Sequence, residues 1–174
     1  MTSLVEFEGD LKRAAEESAE FLRKKSARFN KSEYYDESYS GEREFVAEVY
    51  RMLSLLNKVY IQNLSIDYYR YKAKERVVEY VFPDIVFHDS NRGRAAVEVK
   101  VVWFLQTRID GLYKRDEDRI TRDYKKLRDR YVKFDSRTML VAFLGRPEDY
   151  HRNKFRKYVE GLIHGNSNIN VITC

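Results

Sequence analysis

Apolar positions near the start of the chain recur every three to four residues. Leu4, Phe7, Leu11, Ala14, Ala15 and Leu22, with Ser18 among them, form one stripe, which predicts an amphipathic helix to about Phe29. A polar link with tyrosines, Asn30 to Ser40, follows. A second helix is predicted from about Gly41 to Asn57, with Phe45, Val49, Met52, Leu53 and Leu56 on its apolar side. The period then shortens. Val59 to Tyr71 and Arg76 to Phe87 are rich in β-branched and aromatic residues and read as strands. Asp89 to Gly93 is a turn cluster, and Ala95 to Trp103 reads as another strand. A third helix, about Asp116 to Tyr131, buries Ile120, Tyr124, Leu127 and Tyr131. Arg137 to Leu144 reads as a strand, Pro147 to Ile163 as a helix with proline in its first turn, and Ile169 to Thr173 as a last strand. The order α, α, β, β, β, α, β, α, β predicts an α/β fold, a mixed sheet with helices on both faces. Residues 1–40 supply the first helix and link, and 41–174 the core, within one domain.

Composition narrows the classes. At 174 residues the chain is long enough for one domain with a proper core. No apolar run reaches the length of a membrane span, and Met1 to Asp10 lacks the build of a signal peptide. The lone cysteine, Cys174, excludes an internal disulfide and a cysteine-based zinc site. His88, His151 and His164 lack zinc-ligand spacing, and there is no Walker-type glycine loop or nucleophile elbow. The expected address is the cytoplasm or nucleoid. Net charge is +5, although residues 1–40 are net acidic, so the basic surplus lies in the remainder and suits a polyanionic partner.

The informative stretch is Pro83-Asp84-Ile85-Val86-Phe87-His88, followed after the turn by Val97-Glu98-Val99-Lys100-Val101-Val102-Trp103. Alternate residues of a strand share a face. Val97, Val99, Val101 and Trp103 therefore point into a core, while Glu98 and Lys100 point the other way. A hairpin brings Asp84 level with Glu98. Charges among buried valines are unfavourable unless paired or used. Two close carboxylates repel unless a cation lies between them. Mg²⁺ (or Mn²⁺) is the expected occupant, with the Val99 backbone carbonyl and waters completing its oxygens. Lys100 could orient the attacking water or neutralise charge on a phosphate. The plainer alternative is an exposed Glu–Lys pair on an edge strand, with Asp84 capping a turn.

Pro83-Asp84 with Glu98-Val99-Lys100 resembles the signature of the PD-(D/E)xK nuclease superfamily, over about Glu42 to Leu144. The resemblance implies a restriction-endonuclease-like αβββαβ core, with the N-terminal helix as an addition. It also implies a Mg²⁺-dependent nuclease with Asp84 and Glu98 as metal ligands and Lys100 as the catalytic lysine. Members often add an acid from the helix before the sheet. Of Glu42, Glu44 and Glu48, Glu42 lies nearest the centre of the apolar stripe at about 100° per residue. Glu42-Arg43-Glu44-Phe45-Val46 is also similar to the helix opening of archaeal junction resolvases. The alternative is an acid favoured at a helix N-terminus by the macrodipole. The run Pro-Asp-Ile-Val-x-His with a later Asp-x-x-Lys-Leu, here Asp123 to Leu127, resembles a group of nuclease-like domains. His88, Asp123 and Lys126 thus become candidate site or substrate contacts, His88 with the alternative of a hydrogen-bonded strand-end histidine. The glutamine-tyrosine helix motif of another branch is absent.

Arg115, Arg119, Arg122, Lys126, Arg130 and Lys133 project to one side of the third helix, a ridge that could track a phosphate backbone or simply face water. Residues Phe104 to Arg115, with Gln106, Arg108 and Gly111, are expected as a loop over substrate. Tyrosine bunches such as Tyr34, Tyr35 and Tyr68, Tyr69 suit either packing or base stacking. The expected partner is nucleic acid, DNA rather than RNA. The alternatives are a silent nucleic-acid-binding module, or a scaffold subunit whose first helix pairs with a partner or, in a homodimer, with itself.

Overall fold

The computed structural model describes residues 4–28, 41–56, 60, 64–65, 69–72, 78–81, 83–89, 93–104, 110–145, 149–163 and 169–174. Helices α1 (Leu4–Arg28) and α2 (Glu42–Leu56) come first. Strands β1 (Leu64–Ser65), β2 (Tyr69–Lys72), β3 (Val78–Val81), β4 (Ile85–Asp89) and β5 (Gly93–Phe104) follow. The chain continues with α3 (Asp110–Asp129), β6 (Ser136–Gly145), α4 (Asp149–Ile163) and β7 (Asn170–Thr173). Five strands form one mixed sheet in the order β1-β4-β5-β6-β7, while β2 and β3 make a separate hairpin. β4 runs antiparallel to β1 and β5, whereas β5, β6 and β7 are mutually parallel. Among the described residues no helix is long and apolar enough to cross a membrane.

The strand period sorts the core into two layers. Val97, Val99 and Val101 of β5 join Ile85, Phe87, Leu140, Ala142 and Leu144 against α1 and α2. Ala96 and Val102 join Val86, Met139, Val141 and Phe143 against α3 and α4. The first helix is bound closely to the sheet. Phe7 stacks on Phe87 with centroids 4.6 Å apart. Glu8 accepts hydrogen bonds from Ser136 and Asn170, and Arg23 donates to the Phe143 carbonyl.

Several expected boundaries move. The single strand expected over Val59–Tyr71 is not formed: Tyr60 is helical, and β1 and β2 are separate pieces in different sheets. β-branched and aromatic content marks extended chain, but it does not say which partner each piece takes. Arg76–Phe87 likewise divides into β3 and β4 around Pro83 and Asp84. Proline has no N–H for the ladder, and a sheet tolerates it only at strand ends and edges. The third helix starts at Asp110, so Gly111 to Arg115 are helical rather than part of a loop over substrate. Its first turns are mostly charged, with Leu112 and Tyr113 isolated among them, which hides them from a search for an apolar stripe. Gln106, Arg108, Pro147, His164, Tyr34, Tyr35 and Tyr68 lie outside the described residues, as does the side chain of Trp103.

Candidate active site

β4 and β5 form the floor of the site. Ile85 faces Val97 across the antiparallel pair, so Asp84, one residue earlier, comes level with Glu98. Here the ladder stops at Pro83, and a side chain takes over from the backbone. Asp84 Oδ2 accepts the Val99 N–H at 2.7 Å. Glu98 projects from β5 between Ala96 and Val102 into the α3 side of the core and is only 2% exposed. Its Oε1 accepts the Tyr131 hydroxyl at 2.6 Å, and its Oε2 lies 3.9 Å from Lys126 Nζ.

Lys100 follows on the same face, with its Nζ 3.0 Å from Glu42 Oε2 and 2.8 Å from Asp123 Oδ2. Glu42 reaches it because α2 buries Phe45, Val49 and Leu53 on the sheet, and Glu42 lies one turn before Phe45 on the same side. The chain enters α2 through Gly41, whose φ of 66° is left-handed, and whose carbonyl accepts the Phe45 N–H. Glu44 instead pairs with Lys25 of α1, and Glu48 with Arg51. From α3, Arg119 meets Glu42 Oε2 at 3.4 Å, and Lys126 meets Asp123 Oδ1 at 2.6 Å. Among the described residues, four carboxylates (Glu42, Asp84, Glu98 and Asp123) thus share the site with three cations (Lys100, Arg119 and Lys126). The cations gather on Glu42 and Asp123; Asp84 and Glu98 are the less compensated pair.

Titration reflects this imbalance. Burial pushes the Glu98 carboxyl up to about 8, with Asp84 adding to the shift and the Tyr131 hydrogen bond and Lys126 opposing it. Burial also raises Asp84, against the stabilising Val99 amide. For Lys100, burial disfavours the ammonium, but Asp123 and Glu42 outweigh it and hold the pKa above the ordinary lysine value. Tyr50 of α2 is pushed up to about 12 by burial and then by Asp84. Tyr131 is also raised, by burial first and Glu98 second, so it remains a hydrogen-bond donor. Among the described residues no group of three or more histidine, cysteine, aspartate or glutamate side chains is arranged to hold a metal ion. The acidic feature is a pair of carboxylates, with ammonium groups to one side.

The structure brings Glu42, Asp84, Glu98, Lys100, Asp123 and Lys126 together. It does not bring His88 to them. His88 is exposed, faces Arg94 across the hairpin and lies four residues along β4 from Asp84, roughly 13 Å at strand spacing. The basic ridge of α3 divides. Arg119, Lys126 and Arg130 are half-buried, while Arg115, Arg122 and, beyond the helix, Lys133 are exposed. At about 100° per residue the first three lie on the side of the ridge nearer Asp123, and Arg115 and Arg122 farther round.

Sequence reasoning missed two partners. Tyr131 read as part of an apolar stripe, although a buried tyrosine hydroxyl generally requires a polar partner. Arg119 read as a surface cation, although Arg119, Asp123 and Lys126 at i, i+4 and i+7 share one helix face. Comparison of the chain with family models, curated proteins and solved structures gives no match.

Proposed function

We propose that this chain is a metal-dependent nuclease of restriction-endonuclease-like fold, hydrolysing phosphodiester bonds in DNA rather than RNA. The observation that carries the reading is the Asp84–Glu98 pair. Each carboxylate has one oxygen fastened by a protein donor, Val99 N–H or Tyr131 O–H. Among the described residues the second oxygens have no donor that close; Glu98 Oε2 has an ammonium at 3.9 Å. That donor set fits Mg²⁺ or Mn²⁺, hard ions that take carboxylate, carbonyl and water oxygens. A strand residue turns its N–H and C=O toward the same neighbour, so the Val99 carbonyl, like its amide, faces the Asp84 side. Asp84, Glu98 and the Val99 carbonyl would hold the ion, which when bound supplies polarisation of phosphoryl oxygen and acidification of water.

The remaining residues act on the substrate. Lys100, kept protonated by Glu42 and Asp123, donates to the attacking water or the phosphate and offsets charge that develops on it. Glu42 therefore serves as the partner that aims Lys100. Arg119 and Lys126 stand beside the acids, and Arg115, Arg122, Arg130 and Lys133 continue the positive surface for the phosphate backbone. A second reading, a nucleic-acid-binding module or scaffold of the same fold, draws on one observation: two carboxylates already occupy Lys100.

The test is cleavage of single-stranded, duplex and branched DNA and of RNA with Mg²⁺ or Mn²⁺. Cutting by the native chain, abolished by Asp84→Ala and Lys100→Ala, is the expected result. DNA retained in a low-salt shift assay with no substrate cut would replace the nuclease with the binding module.

A further inference from the structure

We infer that Tyr131 is a positioning residue, fixing the Glu98 carboxylate so that one of its oxygens remains for a divalent ion. The inference rests on the metal-dependent reading above and adds to it a residue outside the acidic cluster. Tyr131 is fully buried just past the end of α3. Contacts with its described neighbours hold it there. Its N–H donates to the Lys126 carbonyl at 3.1 Å, its carbonyl accepts the Phe134 N–H at 3.0 Å, and its ring meets Phe134 edge-on with centroids 5.7 Å apart. A side chain so restrained has little rotational freedom to lose, and its hydroxyl reaches Glu98 Oε1 at 2.6 Å. Lys126, whose carbonyl accepts the Tyr131 N–H, also places its ammonium 3.9 Å from Glu98 Oε2.

The geometry separates the two oxygens. Oε1 is taken by a neutral, directional donor at hydrogen-bond distance, while among the described residues Oε2 faces a half-buried ammonium beyond hydrogen-bond range, itself engaged by Asp123. A carboxylate loose in its pocket would pay orientational entropy on meeting an ion; a carboxylate pinned through one oxygen has already lost it. Partners of this kind orient metal ligands, and their loss typically lowers metal affinity by about 10- to 100-fold. A purely structural role for the hydroxyl would move stability and leave ion affinity unchanged.

Tyr124 supplies the control. It lies on α3 in the same apolar layer, is 5% exposed, and its hydroxyl has no hydrogen-bond partner among the described residues. The experiment measures Mn²⁺ binding by calorimetry to the native chain, Tyr131→Phe and Tyr124→Phe, well below each melting temperature. Phenylalanine keeps the ring packing of Tyr131 and removes only the donor. The expected result is affinity about 10-fold or more weaker in Tyr131→Phe and native affinity in Tyr124→Phe. Equal affinity in all three overturns the role of Tyr131 while leaving the metal site intact. Equal losses in both variants overturn it in favour of general packing. No Mn²⁺ binding by the native chain overturns the metal-dependent reading and this inference with it.

Discussion

The two faces of the central sheet solve different problems with the same strand. Toward α1 and α2, β5 presents Val97, Val99 and Val101 to a mainly apolar layer, whose buried polar groups among the described residues are neutral, such as Ser18 of α1 and Ser136 and Thr138 of β6. Toward α3 and α4 it presents Ala96, Glu98, Lys100 and Val102, two charges between two apolar residues. The first face is packed chiefly by hydrophobic burial, with no buried charge among the described residues. The second must satisfy every charge that it encloses, because a buried ion without partners is far more costly than a missing methyl group. It does so unevenly. Lys100 is ringed by acids, whereas Glu98 and Asp84 are left with raised pKa values. Apolar packing holds one face and a carboxylate pair with raised pKa values is carried on the other, a combination that marks a candidate functional site.

The sharpest way to break this contrast is to change neighbours on opposite faces. Lys100→Met should lower cleavage by roughly 100-fold or more, as loss of a preorganised donor to developing charge does. It should also lower stability by about 3 kcal/mol, since Glu42 and Asp123 lose their shared ammonium. Val97→Ala should lower stability by about 2 kcal/mol through a cavity under α1 and α2, with cleavage by the folded protein nearly unchanged. Chemical denaturation and initial cleavage rates on both variants decide the matter. Equal effects on rate would erase the distinction between the faces.

A second contrast separates the two faces by pH. The folded pKa of Glu98 lies near 8, against 4.5 for the free side chain, so the folded state binds this proton more tightly than the unfolded state. Its contribution to stability is therefore full below about pH 4.5 and is lost as pH rises through about 8. Glu98→Gln removes that loss. Without divalent ions, the variant should gain on the native chain between pH 5 and 8.5, by a few kcal/mol, and the difference should shrink when Mg²⁺ is added. Denaturation midpoints at the two pH values provide the check. A difference that does not change with pH would mean that the folded and unfolded states bind the Glu98 proton alike, and that the raised pKa is absent.

The same contrast explains what could be read from sequence. Period and alternation located α1, α2, β5 and β6, and placed Glu98 and Lys100 opposite Val97 and Val99, because those features follow from which side of an element is apolar. Asp84 beside Glu98 followed from hairpin register. Strand breaks were harder. Leu64–Ser65 and Tyr69–Lys72 have similar β-forming character but pair with different partners, and only tertiary pairing distinguishes them. The Tyr131–Glu98 bond was hidden for another reason. Periodicity assigns a tyrosine to a face but does not aim its hydroxyl, and this bond joins residues thirty-three positions apart. His88 shares strand parity with Asp84 yet lies at the opposite end of β4, because parity fixes a face and not a distance along it.

The α3 ridge extends the contrast to the surface, with the smallest expected effect. Arg119 and Lys126 are engaged with Glu42, Asp123 and Glu98, while Arg115 and Arg122 are exposed farther round the helix. A cation already paired releases fewer counterions on meeting a phosphate than one facing water. Arg115→Ala and Arg122→Ala should each reduce the slope of log affinity for DNA against log salt by about 1, with little change in Mn²⁺ affinity. Arg119→Ala should change that slope less, and instead loosen Glu42 and lower the cleavage rate. Fluorescence anisotropy with labelled duplex at several salt concentrations measures the slopes. If Arg119 carries the larger share, the inner cations must leave their acids to hold DNA, and the site opens when it binds substrate.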